Sequence, residues 1–569
     1  QEPFNVPEFV IQQNWPQAVM LDPIQLGTGT YSYSHEDFKI PSINGSLKFT
    51  RFYDSLNNNL YGTLGYGWSH TYNYFLTNRQ DTAWDIHYPD GHLSTFIPMN
   101  SSGQSFPIFS GTTDSLQKHS NNRYSLFTKE KVEYRFDSIG KLDSIIDLNG
   151  NITRLFFTGS KLDSVLAPGG RSLIMTYGSN KLASVMDPLD RICSFNYDAD
   201  SNLVRVVGPS MDTTFFNYDS LHRMISIVNP LGDTILTNTY GSTGRVILQE
   251  DAYNNVTSIA YNFPATGDAT VTHPDSSQII VHHDVFFRKT SEIDELNFTK
   301  TYEYDINSNE IGFTNENNHS ETRLFDEIGN LLSDTLPGGQ ITNITYNNFN
   351  SPVQIIDANG NVKHFYRDSV NNNLDSILNP DGSLLIFTYD SLGLVTQSID
   401  GNGNITSYLY STAGDLLSIQ TTTGIKQFAY DAAGRKISTT DENGHTTTYV
   451  YDNNDNLLLT TDALGRTMQN TYDANNQLLS SADKNGYETI YSYDGKGRKR
   501  STTDPKGGVT TYTYDVRDRL VSVADPESNT MFYSYDSKGR KISSTNALGT
   551  TQYQYDAVGN LVKVIDPAN

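Results

Sequence analysis

The sequence predicts an all-β fold: a long antiparallel β-meander of 21-residue repeats, wound into a spiral or barrel-like wrap. Three observations predict the wound meander. Tyr430, Tyr451, Tyr472, Tyr493, Tyr514 and Tyr535 are each followed by Asp at 21-residue spacing, and Tyr555-Asp556 comes 20 residues later. A fixed period over many copies is the signature of a repeat architecture. The composition is rich in Tyr (36), Phe (27) and Gly (42), which supplies aromatic strand formers and turn residues. Finally, 569 residues with 36% hydrophobic content exceed what one ordinary core organises. An array escapes that limit because each unit packs only on its neighbours.

Three regions follow in order. Residues 1–20 are expected to be irregular, with Pro3, Pro7 and Pro16 breaking any long element. Residues 21–135 form a separate opening β module with Gly-rich turns. The repeat array occupies 136–569. Its phase is traced back through degenerate anchors at Tyr177, Tyr197, Tyr218, Tyr240, Tyr261, His283, Tyr304, Phe325, Tyr346, Tyr366, Tyr389 and Tyr410. Nearly every anchor keeps a ring, so the position is expected to pack.

One unit shows the logic. Thr446–Tyr451 alternates and reads as a strand, the residues from Asp452 to Asp455 as a turn, and Asn456–Thr461 as the return strand. Asp462-Ala463-Leu464-Gly465 turns again. Asp opening a turn bonds its own backbone two residues on, and Gly at the close accepts positive φ. Consecutive hairpins then extend one sheet, which twists and cannot stay flat over dozens of strands.

The formal charge of −24 argues against a nucleic-acid partner, because phosphate binding needs concentrated Lys and Arg. No apolar run reaches the roughly 18–20 residues that span a membrane. The single cysteine, Cys193, excludes an internal disulfide framework and reads as a small buried hydrophobe. Gln1 opens the sequence without Met, which suits a chain exported after signal-peptide removal.

Candidate chemical sites dissolve on inspection. Identical Tyr-Asp pairs in a dozen places are not a dozen active sites; Tyr packs and Asp organises the turn. The structural anchors are therefore Tyr430, Asp431, Gly434, Tyr451, Asp452, Tyr472, Asp473, Tyr493, Asp494, Gly497, Tyr514, Asp515, Tyr535, Asp536, Tyr555 and Asp556. Asp400-Gly-Asn402-Gly-Asn404 looks like the start of a calcium loop, but Ile405 and Ser411 stand where Gly and Glu are needed. His87, Asp90 and His92 flank a hairpin turn, and His282 and His283 point to opposite faces of a strand. Trp68, after Leu64-Gly65-Tyr66-Gly67, reads as core and not as a sugar platform. No nucleophile elbow, phosphate loop or zinc-protease motif occurs. The expectation is a non-enzymatic protein without metal or cofactor.

The run from Tyr430 to Asp452 (YDAAGRKISTTDENGHTTTYVYD) resembles the Tyr-Asp repeat of the RHS family, and Tyr493–Gly507 matches the same pattern. The opening block is similar to that family's N-terminal module at Asp22-Pro23, Leu26-Gly27-Thr28-Gly29, Phe49-Thr50-Arg51 and Leu64–Trp68. The resemblance implies that the wrap is a hollow shell or open cocoon around a C-terminal toxin or other effector. Related shells occur in insecticidal toxin complexes and in teneurins, where they support adhesion. The given sequence stops inside a repeat at Asp566-Pro567-Ala568-Asn569, so the family's self-cleavage is not carried over; a continuation or a capping partner is expected.

One more pattern resembles a sequon for O-glycosylation of exported bacterial proteins: Asp, then Ser or Thr, then an apolar residue. It marks Ser55, Thr82, Ser115, Ser138, Ser144, Ser164, Ser220, Thr234, Thr335, Ser369, Ser376 and Ser391. The plain alternative is that Asp-Ser opens turns. The functional expectation is a secreted or cell-surface shell that encapsulates or presents a polypeptide cargo, with a capping or secretion protein as a further partner. The rival is an adhesion protein or scaffold that uses its outer face or rim.

Overall fold

The computed structural model describes residues 20–21, 24–43, 45–79, 83–97, 103–105, 107 and 114–567. Of the opening segment, only Met20 falls within them, in a short strand paired with Ile24–Gln25. Apart from one 3-10 turn at Ser55–Asn57, every regular element among the described residues is a strand. The opening module holds a five-stranded sheet built on the long hairpin Thr30–Ser42 and Gly45–Asp54, and a three-stranded meander, Phe75–Asn78, Trp84–His87 and Leu93–Phe96. Everything after it is one antiparallel sheet of 45 strands, each paired with the next in sequence. That sheet starts at Gln104–Ser105, earlier than the expected boundary at 136. Short hairpin strands such as Tyr124–Phe127 and Glu133–Phe136 already belong to it.

Nearly every repeat carries a β-bulge at its anchor, Tyr261 being an exception whose ladder runs on in register. Val450 pairs with Leu459, but Tyr451 pairs with Leu457, so Leu458 is an extra residue. A bulge bends the strand and increases its right-handed twist. Repeated once per unit, it curls the ribbon in one sense. The bulge also corrects one anchor: Arg367, and not Tyr366, occupies the position, because the register shift falls between them and Arg367 pairs with Leu374. Tyr366 points the other way and is exposed. An adjacent ring misled the sequence reading by one residue, which in a strand reverses the face.

The curl closes on itself. Two kinds of turn alternate: Tyr-Asp turns after each anchor, and return turns after each return strand. All of one kind lie on one edge of the ribbon and all of the other kind on the opposite edge. Return turns of an earlier coil bond to Tyr-Asp turns of a later one, for example Asn151 Nδ2 to Leu392 O at 2.9 Å and Asn454 Nδ2 to Asp212 Oδ1 at 3.0 Å. The sequence separations are 241 and 242 residues, or about eleven to twelve repeats per coil.

The opening module fills the first coil. Phe49 packs against Phe195, Tyr53 against Tyr218, and Trp68 against Phe216, with ring centroids 5.3–6.1 Å apart. One continuous apolar cluster runs from Ile24 to Val281. Inside it Arg51 is fully buried and forks onto Asp37 at 2.6 and 2.9 Å. Burial opposes its charge, but Asp37 outweighs that and holds the guanidinium pKa above its ordinary value. Beyond Asp294 the picture changes. Among the described residues only Gly312, Asn330, Ala433 and Ser480 are fully buried there. The second coil is a wall with no packed core behind it.

Candidate functional site: the inner wall of the second coil

Register identifies the inward face. Directly paired residues of an antiparallel ladder share a face. In the first coil the pairs Leu155–Val165, Met175–Val185 and Val185–Cys193 are buried in the core cluster. The same places in the second coil are Tyr449–Thr460, Tyr491–Thr502 and Tyr512–Val523. Thr446–Tyr451 accordingly alternates exposed and half-buried, with Thr447, Tyr449 and Tyr451 turned inward.

The anchors hold this wall together. Each phenol reaches back one repeat and donates to the carbonyl beside the preceding bulge: Tyr451 to Lys436, Tyr472 to Leu457, Tyr493 to Leu478, Tyr514 to Lys499, Tyr535 to Leu520 and Tyr555 to Lys541, at 2.7–3.2 Å. Tyr430 sits at the same register opposite Lys436. The aspartates hold the turns. Oδ1 of Asp431, Asp452, Asp473, Asp494, Asp515, Asp536 and Asp556 each accepts the N–H four residues on, at 2.7–3.0 Å. Where that residue is Arg, as at Arg435, its Nε also donates to Oδ2, at 2.7 Å. Gly434 and Gly497 close their turns at φ +82 and +78. These carboxylates are all engaged in turn geometry.

The inward face has two chemical zones. Near its start, Arg323 meets Glu310 at 2.5 Å, Glu321 at 3.3 Å and Asp334 at 3.6 Å, a compact ionic cluster. From Gln340 to Ile565 only two strand residues are carboxylates. Glu488 pairs with Ala482 on the outer face, and Asp375 is the exposed extra residue of a bulge. The wall proper is Tyr, Phe, Thr, Ser and aliphatic residues, with lysines lying against the rings.

Other sequence candidates lie apart from this wall. Trp68 is buried and donates from Nε1 to Tyr218 Oη at 2.8 Å. His87 stacks on Phe75, while His92 bonds Asp90 at 2.5 Å. His282 bonds Asp268 on the outer side, and His283 is buried on the inner side. Burial pushes the Cys193 thiol pKa far up. Asp400 accepts from the amides of Asn402 and Asn404, each at 2.9 Å, as an ordinary turn.

Of the Asp-Ser/Thr positions, Ser55 is 3% exposed and accepts from Tyr31 N–H at 2.9 Å, so the folded chain shields its hydroxyl. Ser138, Ser220, Ser369 and Ser391 are exposed in Tyr-Asp turns, and Thr234 is exposed at a strand start. Ser115, Ser144, Ser164, Thr335 and Ser376 are half-buried, and Thr82 lies outside the described residues.

Sequence reasoning missed the residues that join the coils. Arg171 forks onto Asp415 at 2.9 and 2.7 Å. Lys496 bonds Asp251 at 2.7 Å, Arg517 bonds Glu295 at 2.9 Å, and Lys538 bonds Asp294 at 2.7 Å. A signal was present: Lys496, Arg517 and Lys538 recur at 21-residue spacing, each the third residue of a Tyr-Asp turn.

Comparisons with known proteins agree with the repeat. The RHS Repeat family model matches residues 410–445, 430–467, 472–509, 499–530 and 535–569. A domain of unknown function (DUF6531) matches 21–96. No curated protein sequence matches the chain. Among solved structures, a Photorhabdus luminescens Tc holotoxin pore is similar at TM-score 0.45 and 11% identity, over 91% of this chain and 34% of that one. A TcdB2-TccC3 structure aligns at TM-score 0.38 and 12% identity, covering 94% and 43%. A TcdB2-TccC3-Cdc42 structure aligns at TM-score 0.37 and 12% identity, covering 91% and 40%. The chain thus spans less than half the length of these solved chains.

Proposed function

The chain belongs to the RHS/YD-repeat family, and from that premise we propose that it is a secreted, non-enzymatic shell wall that encloses or presents a polypeptide. One observation carries the reading: the first coil is filled by the chain's own opening module, whereas the second coil has the same inward register and, among the described residues, no core packed against it. Enclosure is then steric. A hydrogen-bonded wall excludes proteases and partners, and the half-exposed inner side chains contact what lies within. The plugged first coil makes one end of the chamber.

Single-cysteine reporters test this, because Cys193 is buried and provides an internal reference. Thr448→Cys lies on the exposed outer face and Thr460→Cys on the inner face. The outer site should react with a small maleimide and with a bulky polymer-linked one. The inner site should accept the small reagent and resist the bulky one, and Cys193 should resist both until unfolding. An inner site as inert as Cys193 would mean a packed interior and would sink the shell reading.

A further inference from the structure

We infer that the inner wall of the second coil is selective for an acidic polypeptide segment, a conclusion that rests on the enclosure reading above and adds the chemistry of what is enclosed. The chain carries a formal charge of −24, and Glu310, Glu321 and Asp334 face inward around Arg323, yet from Gln340 on the acidic residues avoid this surface. Over Gln340–Ile565 every Asp and Glu except Asp375 and Glu488 lies in a turn, and neither of those two is paired on the inner face. The inner face instead holds Lys363, Lys426, Lys436, Lys499 and Lys541, placed there by pairing with Ile355, Ile419, Tyr430, Tyr493 and Tyr535.

Three of these lysines occupy a telling position. Lys436, Lys499 and Lys541 sit opposite an anchor tyrosine, where the filled first coil has Leu162, Leu182 and Leu203 opposite Phe157, Tyr177 and Tyr197. In the second coil most of these positions stay apolar, as at Leu457, Leu478, Leu520 and Leu561, and Lys436, Lys499 and Lys541 are the cationic exceptions. Among the described residues none of these five ammonium groups has a carboxylate partner within ion-pair distance, unlike Lys496 and Lys538 in the seam. They lie over rings: Lys499 Nζ is 4.6 Å from the Tyr491 centroid and Lys541 Nζ is 4.7 Å from that of Tyr553. Such contacts hold the charge in place and leave it able to accept an anion.

Lys426 stands at mid-wall, whereas Lys436, Lys499 and Lys541 open their strands beside Tyr-Asp turns whose aspartates are already engaged by turn amides and arginines. A six-residue strand is about 20 Å long, which puts its middle about 10 Å from either turn row. Exposed charges that far apart are largely screened at a Debye length of about 8 Å. An extended acidic segment would therefore place carboxylates on the lysines and its backbone amides against the Ser, Thr and Tyr hydroxyls.

Fluorescence anisotropy with the whole chain and three labelled, unstructured peptides of equal length tests this: a Glu/Gly/Ser, a Lys/Gly/Ser and a Gly/Ser repeat. The acidic peptide should bind roughly tenfold or more tighter than either other peptide, weaken as salt rises, and protect Thr460→Cys from the small maleimide. Combining Lys426→Gln, Lys436→Gln, Lys499→Gln and Lys541→Gln should remove that preference, and Lys499→Gln alone should weaken it. The outer-face control Lys563→Gln, which pairs with Gln554, should change nothing. If the basic or neutral peptide binds as well as the acidic one, the charge selectivity is wrong while the cysteine test of enclosure still stands. If no peptide binds although Thr460→Cys remains open to the small reagent, the inference also fails. Equally tight, lysine-dependent binding of a sulfated polysaccharide such as heparin would overturn the assignment to polypeptide.

Discussion

Arg171→Met should unlatch the two coils locally, and the structure gives the size of the effect. Arg171, in a return turn of the first coil, bonds both oxygens of Asp415 at 2.9 and 2.7 Å. Its Nε also donates to Ala432 O at 2.9 Å and a terminal nitrogen donates to Pro41 O at 3.0 Å. One side chain thus ties the first coil, two turns of the second coil and the opening module together. Both partners are shielded, with side-chain exposures of 7% and 9%. Removing one member of a shielded pair strands the other charge, at a cost of about 3–5 kcal/mol. Long repeat arrays lose two-state behaviour, so the readout should be local. At 3 kcal/mol, hydrogen exchange of the 411–415 and 431–435 turns should accelerate by roughly 100-fold. Adding Asp415→Asn should recover part of the loss, because the stranded charge is gone. The comparison variant Arg466→Ala, whose ion pair with Asp462 is solvent-exposed, should leave exchange unchanged. If Arg171→Met exchanges like the wild type in those turns, the latch is not Arg171 and the argument from buried pairing fails.

Other consequences are equally direct. Tyr535→Phe removes the 2.7 Å bond to Leu520 O but keeps the ring, and should cost about 1 kcal/mol, read as faster exchange in the preceding bulge alone. His70 is buried and stacked on Phe49, and burial depresses its pKa to about 4. The unfolded chain takes up that proton near pH 6.5, so stability of the module is complete above that value and falls by up to about 3 kcal/mol as the pH drops toward 4. Unfolding monitored by tryptophan fluorescence should show this slope, and His70→Asn should flatten it. The seam should behave differently. Burial works against the ionised forms of Asp251 and Asp294, but Lys496, Lys538 and the turn amides outweigh it and hold both carboxyls below their usual range. Their contribution is therefore complete above about pH 4 and lost as the pH falls through the depressed folded values, so the protection of amides in the 494–498 and 536–540 turns, relative to their intrinsic exchange rate at each pH, should stay flat between pH 7 and 4 and fall only below.

The repeat was legible because its cause is local. A bulge, a turn and a ring recur every 21 residues, and each leaves a mark on the residues that form it. The inward face was half legible: the alternation in Thr446–Tyr451 separates two faces but does not say which one is inside. That requires the first coil, where Val165 and Cys193 are buried in one apolar cluster with the module. Arg367 was missed because sequence phase favoured the neighbouring ring, whereas the backbone decides the anchor by register. The start of the sheet at Gln104–Ser105 was missed because those early strands lack the Tyr-Asp mark. The seam was least legible. Arg171 and Asp415 are 244 residues apart, and nothing in either turn alone indicates that they meet.

That distance is also what fixes the width of the shell. Bulges set the sense of curvature, but a ribbon of near-identical units can close at several circumferences with little difference in backbone energy. The seam disfavours the most distant of them. Its pairs change polarity along the coil: Arg171 and Arg191 place cations on return turns opposite Asp415 and Asp455, whereas Lys496, Arg517 and Lys538 place cations on Tyr-Asp turns opposite Asp251, Glu295 and Asp294. A slip of one repeat would bring Lys496 opposite Asp233 or Asp275 and Lys538 opposite Asp275 or Glu316, so these cations tolerate neighbouring registers. A larger slip around the reversal of polarity would set like charges together. Opposed charges along the seam thus disfavour large slips of one coil on the other, in the way that charged flanking positions disfavour wrong registers in other repetitive assemblies. The residues that join the coils therefore lie on the edges of the ribbon, separate from the side chains of its inner face.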